Sequence, residues 1–448
     1  VGTIAETSVS SRRTLEAVLF VLAVGLSIAA CALVSMGAAG SLTSEFWLFS
    51  ATITLLGGVL HGALRAWAPA ADPIIAPLAL ALNGIGLAMI YRIDLGSTTR
   101  PEEGVATSQL LWTAVGMVSV LVVLATLRDH RQLRRMTFTA MTLGIGLLAL
   151  PLVPLIGTER NGSRVWIEVW GYSAQPAEFA KIAVAVFFAG YLVAHREVLA
   201  LAGPKFLGLR FPRIRDAGPL VLAWGVSLAI LVFQRDLGTS LIFFGMFIAM
   251  LYVATQRASW VVMGLGLFLG GAFAASAVFP HVAARYETWL FAFSGEIYDR
   301  NPGGSGQLVQ GIFGLSTGGL WGTGLGEGQP WLVPFAESDF IFAALGEELG
   351  LAGVMAILTI YLIIGQRAMR TALGVRDGFG KLLAAGIGFT LILQVCVVVG
   401  GVTRLIPLTG MTAPLLAAGG SSLVATWIMM GVLLRISDSA HRAERGTS

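Results

Sequence analysis

Twelve apolar stretches punctuate this chain, each about as long as a helix that crosses a membrane. They run over 15–37, 46–64, 74–91, 107–127, 137–157, 176–194, 217–233, 238–254, 259–279, 345–366, 382–403 and 413–434. Inside hydrocarbon every backbone N–H and C=O must be satisfied within the protein, which leaves helices or closed barrels. Barrel strands read as alternating segments of about ten residues, and none occur. The expected fold is therefore all-α and polytopic, with about twelve transmembrane helices in a single integral membrane domain, 1–448. Only 12% of residues are charged. A charge in or beside a span is costly unless it pairs, faces water or does a job, so those few charges are where function is sought.

Lys and Arg set the expected orientation. With the N-terminus inside, the inward segments carry 20 of the 29 basic residues, from Arg12 and Arg13 through Arg442 and Arg445. The outward segments carry 8: Arg92, Arg100, Arg160, Arg164, Arg235, Arg285, Arg300 and Arg404; Lys181 lies within a span. This bias predicts both termini in the cytoplasm. The net charge of +4 resides in the inner loops and suits anionic headgroups, not nucleic acid. Cys31 and Cys396 fall in apolar runs, and the five His are scattered, so neither a structural disulfide nor a zinc site is expected. The first apolar run reads as a retained span, without a convincing cleavage site. Asn161-Gly162-Ser163 fits a glycosylation sequon too short to carry weight.

Two connections stand out. The basic segment 195–216, with Pro204 and Pro212, reads as a cytoplasmic connector. The segment 280–344, between spans nine and ten, is the large extracytoplasmic loop, and a loop of that length is usually functional or disordered. Within it, residues 307–321 suit a short helix lying in the membrane interface, with Trp321 and Trp331 as interfacial anchors. Gly266 and Gly270 form a small-xxx-small pair, expected to serve close helix packing.

Several clusters can carry chemistry. The run Glu337-Ser338-Asp339 through Glu347-Glu348 places four carboxylates at the edge of a span. Glu178 and Lys181, three apart behind Pro176, share a helix face and can pair, as a structural tie or as the wall of a polar cavity. Asp236 follows Gln234-Arg235 between two apolar runs, where an acid can cap the next helix. Asp299 precedes Arg300 and a Pro/Gly turn ending at Gln307, and taken alone such an acid is often a turn former. Gly322-x-Gly324-x-Gly326 lacks the strand and spacing of a dinucleotide loop. The small-residue run Ala417–Ser422 lies early in the last span and suits close helix contact.

Taken in order, these pieces resemble the SEDS family (shape, elongation, division and sporulation), which includes RodA and FtsW. The likeness rests on Asn161-Gly-Ser-Arg-Val-Trp-Ile, Gln175-Pro-Ala-Glu-Phe-Ala-Lys, Gln234-Arg-Asp-Leu-Gly-Thr, Gln307-Leu-Val-Gln, Gly318-Gly-Leu-Trp-Gly-Thr-Gly-Leu-Gly, Glu337-Ser-Asp through Glu347-Glu-Leu-Gly, Pro407-Leu-Thr-Gly and Gly419-Gly-Ser-Ser. This chain departs from the family pattern at Val165, Arg235, Glu337-Ser338 and Ala417-Ala418. Ten spans are usual, so 15–64 reads as an additional N-terminal pair ahead of a family core at 74–434. Short tails and the Ala417–Ser422 run lean towards the RodA branch and wall elongation.

The resemblance implies a peptidoglycan glycosyltransferase of the bacterial cell membrane that polymerises lipid II. It implies a class B penicillin-binding protein, the crosslinking transpeptidase, as partner, with other membrane proteins of the elongation complex. By the same resemblance Asp299 is the catalytic aspartate. Glu178, Lys181, Asp236, Arg164, Trp166, Gln307 and Asp339 are substrate or cavity residues. A carboxylate that deprotonates the attacking sugar hydroxyl contributes about 100- to 10,000-fold, and an α-linked donor giving a β-linked polymer suits inversion with one base. The leaving undecaprenyl diphosphate needs positive charge, from Arg or Lys or from Mg or Mn, with no organic cofactor. No dedicated metal cage is visible, and the metal is unknown. The alternatives are a lipid II flippase, for which buried charges would line a path, and a non-catalytic scaffold of the wall-synthesis complex.

Overall fold

The computed structural model describes residues 9–96, 104–154, 156–160, 163–169, 171–200, 205–206, 209–210, 218–300 and 303–445. Asn161 of the sequon, Pro204 and Pro212 of the basic connector, and Asn301-Pro302 of the turn lie outside them. Sixteen helices follow in order: α1 (Val9–Ala39), α2 (Ser44–Trp67), α3 (Ile75–Gly96), α4 (Val105–Thr126), α5 (Gln132–Arg135), α6 (Thr137–Ala149), α7 (Pro176–Ala200), α8 (Gly218–Phe233), α9 (Leu237–Thr255), α10 (Ala258–Val278), α11 (Pro280–Leu290), α12 (Gly295–Tyr298), α13 (Gly306–Gly318), α14 (Ile341–Gly374), α15 (Gly378–Val402) and α16 (Gly420–Arg445).

Every expected span contains a helix. Among the described residues ten are long and apolar enough to cross a membrane. The segments 137–157 and 217–233 form shorter helices, α6 of 13 residues and α8 of 16. Helix α10 is only 6% buried, against 33% or more for the other nine, and an added Cβ at Gly266 or Gly270 meets nothing. Among the described residues the small-xxx-small pair is therefore not a packing seam.

The fold also contains strand structure that apolar periodicity did not predict. β1 (Gly157–Arg160), β2 (Ser163–Val169) and β3 (Tyr172–Ala174) make an antiparallel meander, and β4 (Lys205–Phe206) pairs with β5 (Leu209–Arg210). In the meander Thr158 faces Trp166 and Glu168 faces Ser173, with an irregularity between Thr158 and Arg160. The alternation Val165, Ile167, Val169 is a period-two pattern, but so short that it is easily hidden beside the long apolar runs.

Contacts sort the chain into two compact units. The first comprises Val1–Arg128, Gly314–Arg367 and Pro414–Ser448; the second comprises Asp129–Phe313 and Ala368–Ala413. In the first, α1 packs on α3 and α4 packs on α16. Its interior polar groups are satisfied across helices: Trp427 Nε1 donates to Asn83 Oδ1 (3.2 Å), and Asn83 Nδ2 donates to Thr113 Oγ1 (3.3 Å). In the second unit α7, α9 and α15 pack mutually, and α6 lies on α7.

Three boundaries differ from expectation in ways that bear on the site. Helix α3 continues past residue 91, so Arg92 lies inside it, 4% exposed. Helix α14 starts at Ile341 and breaks at Gly350, whose φ of 68° and ψ of −177° suit only glycine. Helix α16 starts at Gly420, so Ala417–Gly419 precede it; Gly420 is pressed against the Trp112 ring of α4.

Candidate active site

The second unit places Asp299 on a small platform. Pro280 opens α11, where its missing N–H costs nothing. This helix is clamped to the loop after α15. Trp289 Nε1 donates to the Arg404 carbonyl (3.0 Å), and Arg404 Nε and Nη2 donate to the carbonyls of Trp289 (2.7 Å) and Leu290 (2.9 Å). Arg285 Nη1 reaches the carbonyls of Leu408 and Thr409, each at 3.3 Å. The short α12 follows, and Asp299 ends it, its N–H donating to the Gly295 carbonyl (3.0 Å). Arg300 turns back to Glu287 (2.9 Å), Thr288 and the Gly303 carbonyl. Ser305 is fully buried, its Oγ donating to the Ala292 carbonyl (2.6 Å). The backbone is thus tied down on both sides of Asp299, while Asp299 itself is exposed.

A second group forms around α7. Lys181 Nζ lies 2.7 Å from Glu178 Oε2 and donates to Gln394 Oε1 of α15 at 2.8 Å. Gln394 Nε2 in turn donates to the Thr412 carbonyl (2.9 Å). Exposure of the three side chains' residues is 3%, 1% and 1%, so this is a dry chain that ties α7, α15 and the following loop. Gln394 escaped the sequence reading because a lone amide in an apolar run carries no spacing signal.

Asp236 caps α9, its Oδ1 accepting from the Thr239 N–H (2.9 Å), while Oδ2 is buried with no hydrogen-bond donor among the described residues. Burial pushes this carboxyl above its ordinary range, against the Thr239 bonds and the Arg285 charge, with Glu178 adding to the rise. Asp236 therefore shares an electrostatic neighbourhood with Glu178 and with Arg285, which the sequence reading did not single out. The meander lies beside this turn, the Arg164 N–H donating to the Gln234 carbonyl (3.2 Å). The Arg164 side chain is exposed and Trp166 is half-buried on β2; Gln307 stands in the first turn of α13.

In the first unit the acids of the carboxylate run organise a loop. The break at Gly350 frees backbone groups of α14, and the loop takes them up. Thr323 and Gly324 N–H donate to the Glu347 and Glu348 carbonyls (both 3.0 Å), and Leu351 and Ala352 N–H donate to those of Gly319 and Leu320. Glu347 Oε1 accepts from Gln329 N–H (2.7 Å), and Glu348 Oε2 accepts from Gly326 N–H (2.9 Å). Glu348 Oε1 pairs with Arg92 Nε at 2.8 Å, Arg92 Nη2 donates to the Gly328 carbonyl (2.6 Å), and the guanidinium covers the Trp331 ring at 4.8 Å. Trp331 is thus held by Arg92, whereas Trp321, 79% exposed, is placed as an anchor would be. Gly322, Gly324 and Gly326 all have positive φ, which explains the spacing without a nucleotide. Asp339 accepts from Ser338 Oγ (2.7 Å).

The family model described as "Cell cycle protein", covering FtsW, RodA and SpoVE, matches residues 74–442. The chain belongs to the FtsW/RodA/SpoVE family. Peptidoglycan glycosyltransferase RodA of Mycobacterium tuberculosis is 45% identical over 442 residues, 97% of this chain and 92% of that protein. The Mycobacterium leprae RodA is 43% identical with the same coverage. Stage V sporulation protein E of Bacillus subtilis is 32% identical over 82% of this chain. Among solved structures, a peptidoglycan synthase complex that coordinates polymerization and crosslinking matches with a TM-score of 0.64 at 26% identity, covering 84% of this chain and 98% of that one. Thermus thermophilus RodA shares the fold, with a TM-score of 0.57 at 23% identity over 82% and 97% of the two chains. Family membership, with ten apolar helices, makes this a multi-pass membrane protein. The FtsW/RodA/SpoVE match begins after α2, so α1 and α2 precede the part common to the family.

Proposed function

We propose that this chain is a peptidoglycan glycosyltransferase that polymerises lipid II with inversion, in wall elongation. The carrying observation is the match over 97% of the chain to relatives named for that activity. In this reading Asp299 takes the proton from the attacking sugar hydroxyl. The support is its exposure on a turn fixed by Arg300, Ser305 and the α11 clamp, so that orientation is settled before substrate arrives. Undecaprenyl diphosphate is the leaving group, and exposed Arg164 is assigned to its charge. Gln307 and Trp166 are assigned to substrate contact, as Asp339 is by the family resemblance. Glu178, Lys181 and Asp236 are assigned a supporting part, as the buried tie of α7 to α15 and the cap of α9.

Among the described residues no three His, Cys, Asp or Glu side chains are grouped to hold a metal. Mg or Mn is assigned to the substrate's diphosphate. Both termini face the cytoplasm and 280–344 faces outward, as the distribution of basic residues supports. A class B penicillin-binding protein is the crosslinking partner, alongside other membrane proteins of the elongation complex.

The test is polymerisation of lipid II by purified protein, with and without a class B partner, read as glycan chain length on gels. Glycan ladders are expected, slowed by chelation and restored by Mg or Mn. Translocation of lipid II across vesicles without any polymer would overturn the reading in favour of a flippase.

A further inference from the structure

Helices α1 and α2 lie outside the family match, yet they are packed into the first unit at one particular place. Leu325 seats against a cluster of Ala30 and Cys31 of α1, Phe46 of α2 and Ala88 of α3, with Ile28 and Ala32 alongside. Next to it Gly326, at a φ of +96°, meets Gly37 of α1 backbone to backbone. A Cβ on Gly37 would come within 2.9 Å of Gly326 Cα and 3.0 Å of the Leu325 carbonyl. A Cβ on Gly326 would meet Gly37 Cα at 2.9 Å and the Leu33 carbonyl at 3.2 Å. The connection between α1 and α2 is itself held to the family core, Thr43 Oγ1 lying 2.5 Å from the Tyr91 hydroxyl, with Phe49 edge-on to the Tyr91 ring. The same Gly326 gives its N–H to Glu348.

We infer that α1 and α2 are a brace for the 319–331 loop, with Leu325 as its wedge and the Gly37–Gly326 contact as its seat. Glu347, Glu348 and Arg92 hold the loop from one side through polar bonds. Without α1 and α2, Leu325 would keep only Ala88 of this cluster, so the loop's single arrangement depends on the apolar surface that the N-terminal pair supplies. The 45% relatives match over 97% of this chain, which leaves out less than α1, whereas the 32% relative matches over 82%.

Hydrogen exchange of the full-length protein tests this, read on peptides covering 322–331. There the Thr323, Gly324, Gly326 and Gln329 amides are bonded in the native fold. Leu325→Ala and Gly37→Leu are expected to speed exchange in that segment by about 10-fold or more, because exchange follows local opening. Peptides from α15 and α9 should stay at wild-type rates. Gly58→Leu, on α2 where an added Cβ meets nothing, should change neither. Should Gly37→Leu fail to fold, Leu325→Ala decides alone. Wild-type exchange at 322–331 in Leu325→Ala overturns the brace. The readout needs no substrate, so a wild-type protein inert toward lipid II would count against the glycosyltransferase reading and leave this one standing.

Discussion

Two side-chain groups, the proposed base and the buried tie of α7 to α15, are expected to fail differently. As the proposed base, Asp299 needs its charge more than its volume. Asp299→Asn is expected to abolish polymer from lipid II while expression and partner binding persist. Asp299→Glu should retain about 1% of activity, since displacement of a positioned group by about 1 Å costs about 100-fold; gel analysis of glycan from purified variants checks both. Lys181 is the opposite case. Lys181→Met would leave Glu178 buried and unpaired, an expected loss of about 3–5 kcal/mol, read as a fall in the melting temperature of detergent-solubilised protein. Exchanging the two charges should recover only part of it. A carboxylate at 181 would face Gln394 Oε1, and the Thr412 carbonyl holds that amide in its present orientation.

At the scale of an element, helix ends decide more than helix interiors. Asp377 caps α15, accepting from Gly380 N–H (2.8 Å), and also accepts from buried His130 Nε2 (2.7 Å). Burial raises the Asp377 carboxyl, but the bonds from His130 and Gly380 and the charges of His130 and Arg131 outweigh it and hold it at about 2. A carboxyl lowered on folding stabilises above its unfolded value, about 3.9, and loses that contribution as pH falls toward 2. Asp377→Asn should therefore melt below wild type at pH 6, with the gap closing by about pH 2–3. Asp377→Ala should cost about 0.5–2 kcal/mol more generally, through the lost cap. A gap that stays constant with pH would show that the ion pair contributes nothing. The break at Gly350 follows the same logic: it frees four backbone groups of α14, and the 319–324 loop satisfies all four.

At the scale of the whole molecule the main expectation is topology. In a Cys396→Ser background, single cysteines replacing Glu296 and Gln329 should label with an impermeant thiol reagent in intact cells. Both positions are exposed, so their labelling reports sidedness. Labelling only after lysis would reverse the orientation and remove the outward-facing reading of Asp299 with it. Arg92, an outward residue by its place in the sequence, lies inside α3 paired with Glu348, and the inward bias of Lys and Arg holds without it.

Apolar run length, set against the thickness of hydrocarbon, was enough to place a helix in every expected span and to put this chain in its class. Residue spacing alone was enough for the contact between Glu178 and Lys181, and for Asp236 and Thr239 at a helix start, because those partners lie within one turn of each other. The rest required the third dimension. Gln394 and Thr412 sit 213 and more residues from Lys181, and Glu348 lies 256 from Arg92. No local pattern encodes such a pairing. The short strands after α6 and the loop seated on α1 were decided in the same way. Their stability comes from surfaces that distant segments bring to them, so only the packed chain reveals which buried charge has a partner and which carboxylate is left facing water.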